Sequence, residues 1–168
     1  MAWTFGRVDA SQLGAIQAME AASYPADEAA SPENLAFRAR EASDYFLVMT
    51  TSEGGHVRGY VCGTLSSEDA LTHESMASHV SGGWHLCVHS VCVDPEWTRR
   101  GLGKTLLSAY MDHLRALPGA VRPRKVSLLC KPHLESFYAA AGFKSNGPSP
   151  VVHGADVWTD MSLDLAQG

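Results

Sequence analysis

The chain has 168 residues, of which 45% are hydrophobic and 18% charged, with a formal charge of −5. That is the size and makeup of one globular α/β-sized domain with a substantial core, spanning residues 1–168, and it excludes a disordered or fibrous chain. The acidic balance argues against nucleic acid as a partner, no apolar run reaches the roughly 20 residues that span a bilayer, and MAWTFGRVDA lacks the form of a secretory signal.

In chain order, Trp3 to Val8 reads as a first strand. Ser11 to Ala22 carries Leu13, Ile16, Met19 and Ala22 at helical spacing. SPENLAFRARE opens a second helix with Ser31 as N-cap and Pro32 at the first helical position, where its missing N–H costs nothing. DYFLVMT and HVRGYVCGTLS form a hairpin across the turn residues SEGG. EDALTHESMASHVSGG is polar and glycine-ended, a loop holding a turn or two of helix. HLCVHSVCV is a mostly apolar strand covered on both faces. A glycine-rich turn leads into a long helix with Leu102, Leu106, Tyr110, Leu114 and Leu117 on one stripe. KVSLLC is a buried strand, and HLESFYAAAG a short helix ending at Gly142. Strands near FKSN and ADVWTDMSLDL close the chain, giving an α/β class with a mixed central sheet flanked by helices. Cys62, Cys87, Cys92 and Cys130 sit in apolar runs without a C-x-x-C pair, so they read as buried reduced thiols of a cytoplasmic protein, with no metal site.

The stretch EWTRRGLGKTLL sets two glycines and three cations at the mouth of the long helix. A helix start leaves backbone N–H groups unpartnered and adds about half a positive charge. Gly101 and Gly103 let an anion approach that backbone, while Arg99, Arg100 and Lys104 add formal charge. The pattern describes a diphosphate cradle. It is neither the dinucleotide fingerprint, lacking the third glycine, nor a P-loop, lacking the terminal G-K-[ST].

VHSVCVDPEWTRRGLGKTLL resembles the cofactor-binding segment of the GNAT N-acetyltransferase superfamily. LTHESMASH, HLESFYAAAGF, GPSPVVHGADVWTDMSL and the upstream SYPADEAASPENL are similar, in order, to blocks of its arylalkylamine (serotonin) N-acetyltransferase branch. The resemblance implies a single-domain GNAT fold and acetyl-CoA as acetyl donor, held by Val91, Cys92, Val93, Arg99, Arg100, Gly101, Leu102, Gly103, Lys104 and Thr105. It implies an aromatic-amine slot lined by Tyr24, Pro32, Val91 and Leu129, with the Tyr24 ring stacked on the substrate and its hydroxyl at a wet edge. Two positions depart from the family pattern. Thr98 stands where Arg or Gln usually begins the turn, and Cys87 where the vertebrate enzymes carry the first of two relay histidines.

The chemistry follows from these residues. An ammonium must lose a proton before it attacks, and imidazole suits that task; His89 matches the second relay histidine, so the resemblance makes it the expected general base, through water. A backbone N–H near Val91, where the family's strand bulges, is the expected oxyanion donor. Tyr138 matches the family tyrosine that serves the departing thiolate. Cys87 in an apolar run argues against an acyl-enzyme and for direct transfer in a ternary complex. A polyamine or general small-amine acetyltransferase, and an acetyl-CoA-binding module without turnover, stay open beside the arylalkylamine reading. The expected partner is a small-molecule amine, with no nucleic acid and no membrane, acting on a monomer with weak dimerisation left open.

Overall fold

The computed structural model describes residues 2–165. The strands are β1 (Trp3–Arg7), β2 (Phe46–Thr51), β3 (Val57–Ser66), β4 (His85–Val93), β5 (Lys125–Cys130), β6 (Lys144–Pro148) and β7 (Thr159–Asp164). The helices are α1 (Leu13–Ser23), α2 (Pro32–Glu41), α3 (His73–Ala77), α4 (Leu102–Ala116) and α5 (Glu135–Ala140). The strands form one seven-stranded sheet in the order β1-β2-β3-β4-β5-β7-β6. Only β4 and β5 pair in parallel, joined through α4; the other described pairs are antiparallel.

Alternation along the strands decides which helices cover which face. Leu47 and Met49 of β2 and Val61 of β3 turn toward Leu106, Tyr110 and Leu114 on the apolar stripe of α4. Their neighbours Phe46, Val48, Tyr60 and Cys62 turn the other way, onto Ile16 and Met19 of α1 and Leu35 of α2. Ser31 caps α2 by accepting from the Asn34 amide, and Gly142 ends the α5 region at φ +104°.

Several boundaries differ from the sequence expectation: β1 ends at Arg7 rather than Val8, and β2 starts at Phe46 rather than Asp44, after a 3-10 turn over Ser43–Tyr45. Residues Ala10–Gln12 form a 3-10 turn capped by Asp9, so α1 starts at Leu13. The 67–83 loop holds the expected turn or two of helix as the short helix α3, closed by a Thr72/Ser75 capping box. The last strand starts at Thr159 rather than Ala155, because the Trp158 indole donates to the His153 carbonyl (2.6 Å) and folds the preceding residues into a loop. The expected span of 1–168 includes residue 1 and residues 166–168, which lie outside the described range.

Among the described residues no helix is long and apolar enough to cross a membrane, and no group of three or more His, Cys, Asp or Glu is arranged to hold a metal ion.

Candidate active site

The site begins with one extra residue. Cys62 of β3 faces Ser90, but the next residue, Gly63, faces Val88, so His89 is unmatched and β4 bulges there. The expected bulge near Val91 therefore lies two residues earlier. An extra residue inverts the alternation downstream. Leu86 and Val88 face the α4 side before it, while Val91 and Val93 face that side after it, and Ser90 and Cys92 turn to α1. The parallel pairing of β4 with β5 also stops here, at Val88–Leu128. Beyond that rung the two strands part.

The parting leaves backbone groups without a strand partner. The Asp94 amide donates to the Arg58 carbonyl across the β3 edge. Because a strand residue aims its N–H and C=O the same way and neighbours alternate, Cys92 and Ser90 also face β3, and Val91 and Val93 face the open edge. The Val91 carbonyl confirms this: it accepts the Tyr24 hydroxyl at 3.0 Å. Its amide is left facing the gap. Cys92, expected to hold cofactor, pairs its backbone with Tyr60 and turns its thiol to the Ser23 hydroxyl (3.2 Å), away from the open edge.

A cavity of about 600 Å³ fills the gap, with Val91, Leu129, His89, Tyr138 and Tyr24 on its wall. The His89 Nε2 lies 2.7 Å from the Thr64 hydroxyl, which itself donates to the Ser75 carbonyl. A hydroxyl has one proton, so the hydrogen-bond network assigns the Nε2–H tautomer and leaves Nδ1 as the acceptor. Burial, then the charges of Arg38 and His153, hold His89 well below the ordinary imidazole range. Burial raises the Tyr138 phenol above its usual range, so that hydroxyl keeps its proton. Burial pushes the Cys87 thiol up to about 11, and its side chain is fully enclosed, which disfavours a nucleophilic thiolate.

Two expected substrate contacts change. The Tyr24 hydroxyl does not sit at a wet edge but is bonded to Val91, and burial raises its pKa well above the ordinary value. Only its ring is left for a ligand. Pro32 is exposed at the first turn of α2, off the cavity wall.

The glycine turn follows β4 through the 3-10 turn Pro95–Trp97 and is not itself part of the cavity wall. Gly101 is left-handed (φ +75°) and precedes α4; a Cβ there would meet nothing within 4 Å. Thr105 donates both its amide and its hydroxyl to the Gly101 carbonyl (3.2 Å each), so it offers neither to a ligand. The free amides are those of Leu102, Gly103 and Lys104, with the Leu102 side chain buried in the core. Arg99, at φ +63°, and Lys104 are exposed beside them. Arg100 instead lies over the Trp97 ring, 4.6 Å from its centre. The residues fit a diphosphate: open amides, a helix start, and no side chain within 4 Å of a Cβ built at Gly101.

Sequence reasoning missed Glu20. It is 2% exposed, its Oε1 accepts from the Tyr60 (2.5 Å) and Ser90 (2.8 Å) hydroxyls, and its Oε2 accepts from the Ala30 amide (3.1 Å). It ties the α1–α2 loop to β4. Its position four residues after Ile16, on the buried face of α1, was a readable signal. Glu28, which with Asp27 was open from sequence as an attractor of a second cationic centre, lines the cavity, as does His153, which sequence reasoning missed along with Arg38.

Residues 13–143 match the acetyltransferase (GNAT) family model. Curated serotonin N-acetyltransferases are similar: that of Mesocricetus auratus is 30% identical over 113 residues, and that of Homo sapiens 28%, each covering 67% of this chain. The chain matches about half the length of these relatives, 53%. Among solved structures, the loading GNATL domain of CurA from Lyngbya majuscula superposes with TM-score 0.83 at 14% identity, covering 98% of both chains. The yncA acetyltransferase of Salmonella typhimurium, with acetyl-CoA, gives 0.65 at 23%, covering 100% of this chain and 96% of the other. Those structures bear on the fold, whereas the family model spans most of the sequence, and the chain belongs to the acetyltransferase (GNAT) family.

Proposed function

We propose that this chain transfers the acetyl group of acetyl-CoA to the primary amine of a small arylalkylamine, in a ternary complex. The observation that carries the reading is the unpaired Val91 amide at the parting of β4 and β5, with His89 and Tyr138 on the same cavity wall. The serotonin N-acetyltransferase relatives support the choice of amine.

Bound acetyl-CoA supplies an activated acyl thioester. The amides of Leu102, Gly103 and Lys104, with Arg99 and Lys104 nearby, hold the diphosphate. The Val91 N–H donates toward the acyl oxygen as negative charge gathers there, and Val93 presents a second outward amide along the same edge. His89 Nδ1 takes the proton of the ammonium, directly or through one water. Tyr138 retains its proton and presents it toward the departing sulfur. Positioning of the two reactants lowers most of the barrier, which is why few chemical groups are needed.

A thiol-release assay with acetyl-CoA and an amine panel tests this. Turnover of tryptamine without spermidine supports the reading; the reverse ranking makes the chain a polyamine acetyltransferase. Saturable coenzyme A binding with no turnover makes it a binding module.

A further inference from the structure

Lys131 is the one lysine or arginine on the cavity wall among the described residues. It directly follows β5, the strand that parts from β4, and caps the 3-10 turn Pro132–Leu134. Its Nζ donates to Glu28 Oε2, on the α1–α2 loop, at 2.8 Å and to Asp156 Oδ2, on the loop before β7. The same nitrogen lies 4.8 Å from the centre of the Trp158 ring. Glu28, Asp156 and Trp158 line the cavity too. Two carboxylates and an indole face make a complete ammonium site, and the chain fills it with its own side chain. The hydrogen bonds to Asp156 and Glu28 raise the Lys131 pKa, so the ammonium keeps its charge.

This arrangement uses up the acidic charge of the cavity. Its third carboxylate, Glu20, is already engaged by the Tyr60 and Ser90 hydroxyls and the Ala30 amide. The second cationic centre that Glu28 attracts is therefore supplied by the protein. A ligand with two ammonium groups has to displace Lys131 from both carboxylates or sit beside it against like charge, and either course is unfavourable. An amine whose far end is apolar meets no such conflict. Discrimination of this kind comes from a charge set against the wrong ligand, not from a contact added for the right one.

We infer that Lys131 selects monoamines over diamines and polyamines, its own ammonium standing where a second ammonium of the substrate would otherwise bind. The inference rests on the transferase reading above and adds to it a specificity-determining residue.

The test uses pairs of amines that differ by one ammonium: hexylamine with 1,6-diaminohexane, and benzylamine with 1,4-bis(aminomethyl)benzene. Both kcat/KM and calorimetric binding in the presence of coenzyme A are read. Wild-type protein should favour the monoamine of each pair by at least about tenfold. Lys131→Arg should keep that ratio, whereas Lys131→Met, which leaves Glu28 and Asp156 to the ligand, should move it at least about tenfold toward the diamine. In Lys131→Met/Glu28→Gln, where both charges of the buried pair are gone, the shift should shrink. Lys131→Gln, which still donates to Glu28, replaces the Met variant if that one does not fold. Equal kcat/KM within the wild-type pairs, or a ratio unmoved by loss of the lysine, overturns the inference and leaves the transferase reading intact. The same shift in binding without turnover of any amine supports the role of Lys131 and overturns the transferase reading. Absence of binding by every amine overturns both.

Discussion

His89 occupies a conflicted position. It is the unmatched residue of a bulge, its ring held by the Thr64 hydroxyl of the neighbouring β3, and burial with the nearby Arg38 guanidinium keeps it neutral. Neutrality makes it available as a base over a wide pH range, at some loss of proton affinity. Replacing His89 by Ala should lower kcat by about 10²–10⁴-fold. Because its pKa is depressed, the wild-type acid limb should lie below 6.5, with activity lost only as pH falls through that lower value. The limb should vanish in the variant; a loss below about threefold, or an unchanged limb, removes His89 from that role. Both His89 and Tyr138 line the cavity, but from sequence only the family resemblance singled them out, since a histidine in an apolar strand and a tyrosine beside Phe137 read equally as core. The orientation of Tyr24 was not legible. Whether a phenol meets solvent or a strand carbonyl depends on β4, sixty-seven residues away. Arg38 was illegible for the same reason: on α2 it reads as one more solvated cation, and only α3, folded over it, makes it a buried donor.

At the scale of elements, β4 was read residue for residue, because a continuous apolar run between polar loops has well-marked ends. The start of α4 was equally plain from its glycines. What no local pattern announced was that β4 and β5 pair for four rungs and then separate. The cradle at α4 yields a prediction that separates folding from binding. Gly103 lies within the helix, and a Cβ there would reach only the Phe137 ring, at 3.4 Å. Gly103→Ala should therefore stabilise the protein, or leave it unchanged, within about 1 kcal/mol by helix propensity. The methyl is directed at that ring rather than over the amides of Leu102 to Lys104, so coenzyme A affinity should change little, whereas Lys104→Glu, which reverses an exposed charge at the helix start, should lower it. Thermal melting beside calorimetric titration measures both; a Lys104→Glu variant that binds coenzyme A as tightly as its parent means the diphosphate lies elsewhere.

For the whole molecule, the two faces of one sheet are packed by different helices, and several histidines are enclosed between layers. His85 is fully buried, with Nδ1 on the Glu68 carbonyl (2.8 Å) and Nε2 on the Ser127 hydroxyl (2.6 Å). Burial depresses the pKa of His79, His85 and His89 below 6.5. The unfolded chain therefore binds more protons than the folded one once the pH drops under 6.5, and stability rises with pH through that window. It is fully present above 6.5 and is lost as acid approaches the depressed values. Urea midpoints at ~pH 7.5 and ~pH 5.5 should show the folded state weakening on the acid side, and less so in a His85→Gln variant. A flat midpoint would mean that these imidazoles titrate alike in both states.

The supernumerary position in β4 has one more implication. Skipping it would join Val88 directly to Ser90, and the in-out rhythm of the strand would run on without interruption: Leu86 and Val88 inward to α4, Ser90 to α1, Val91 back to α4. The proposed base is thus a detachable insertion in an otherwise regular ladder. A chain shortened by that single residue should melt no lower than its parent while losing turnover, because the interior contacts on both faces of the strand are kept.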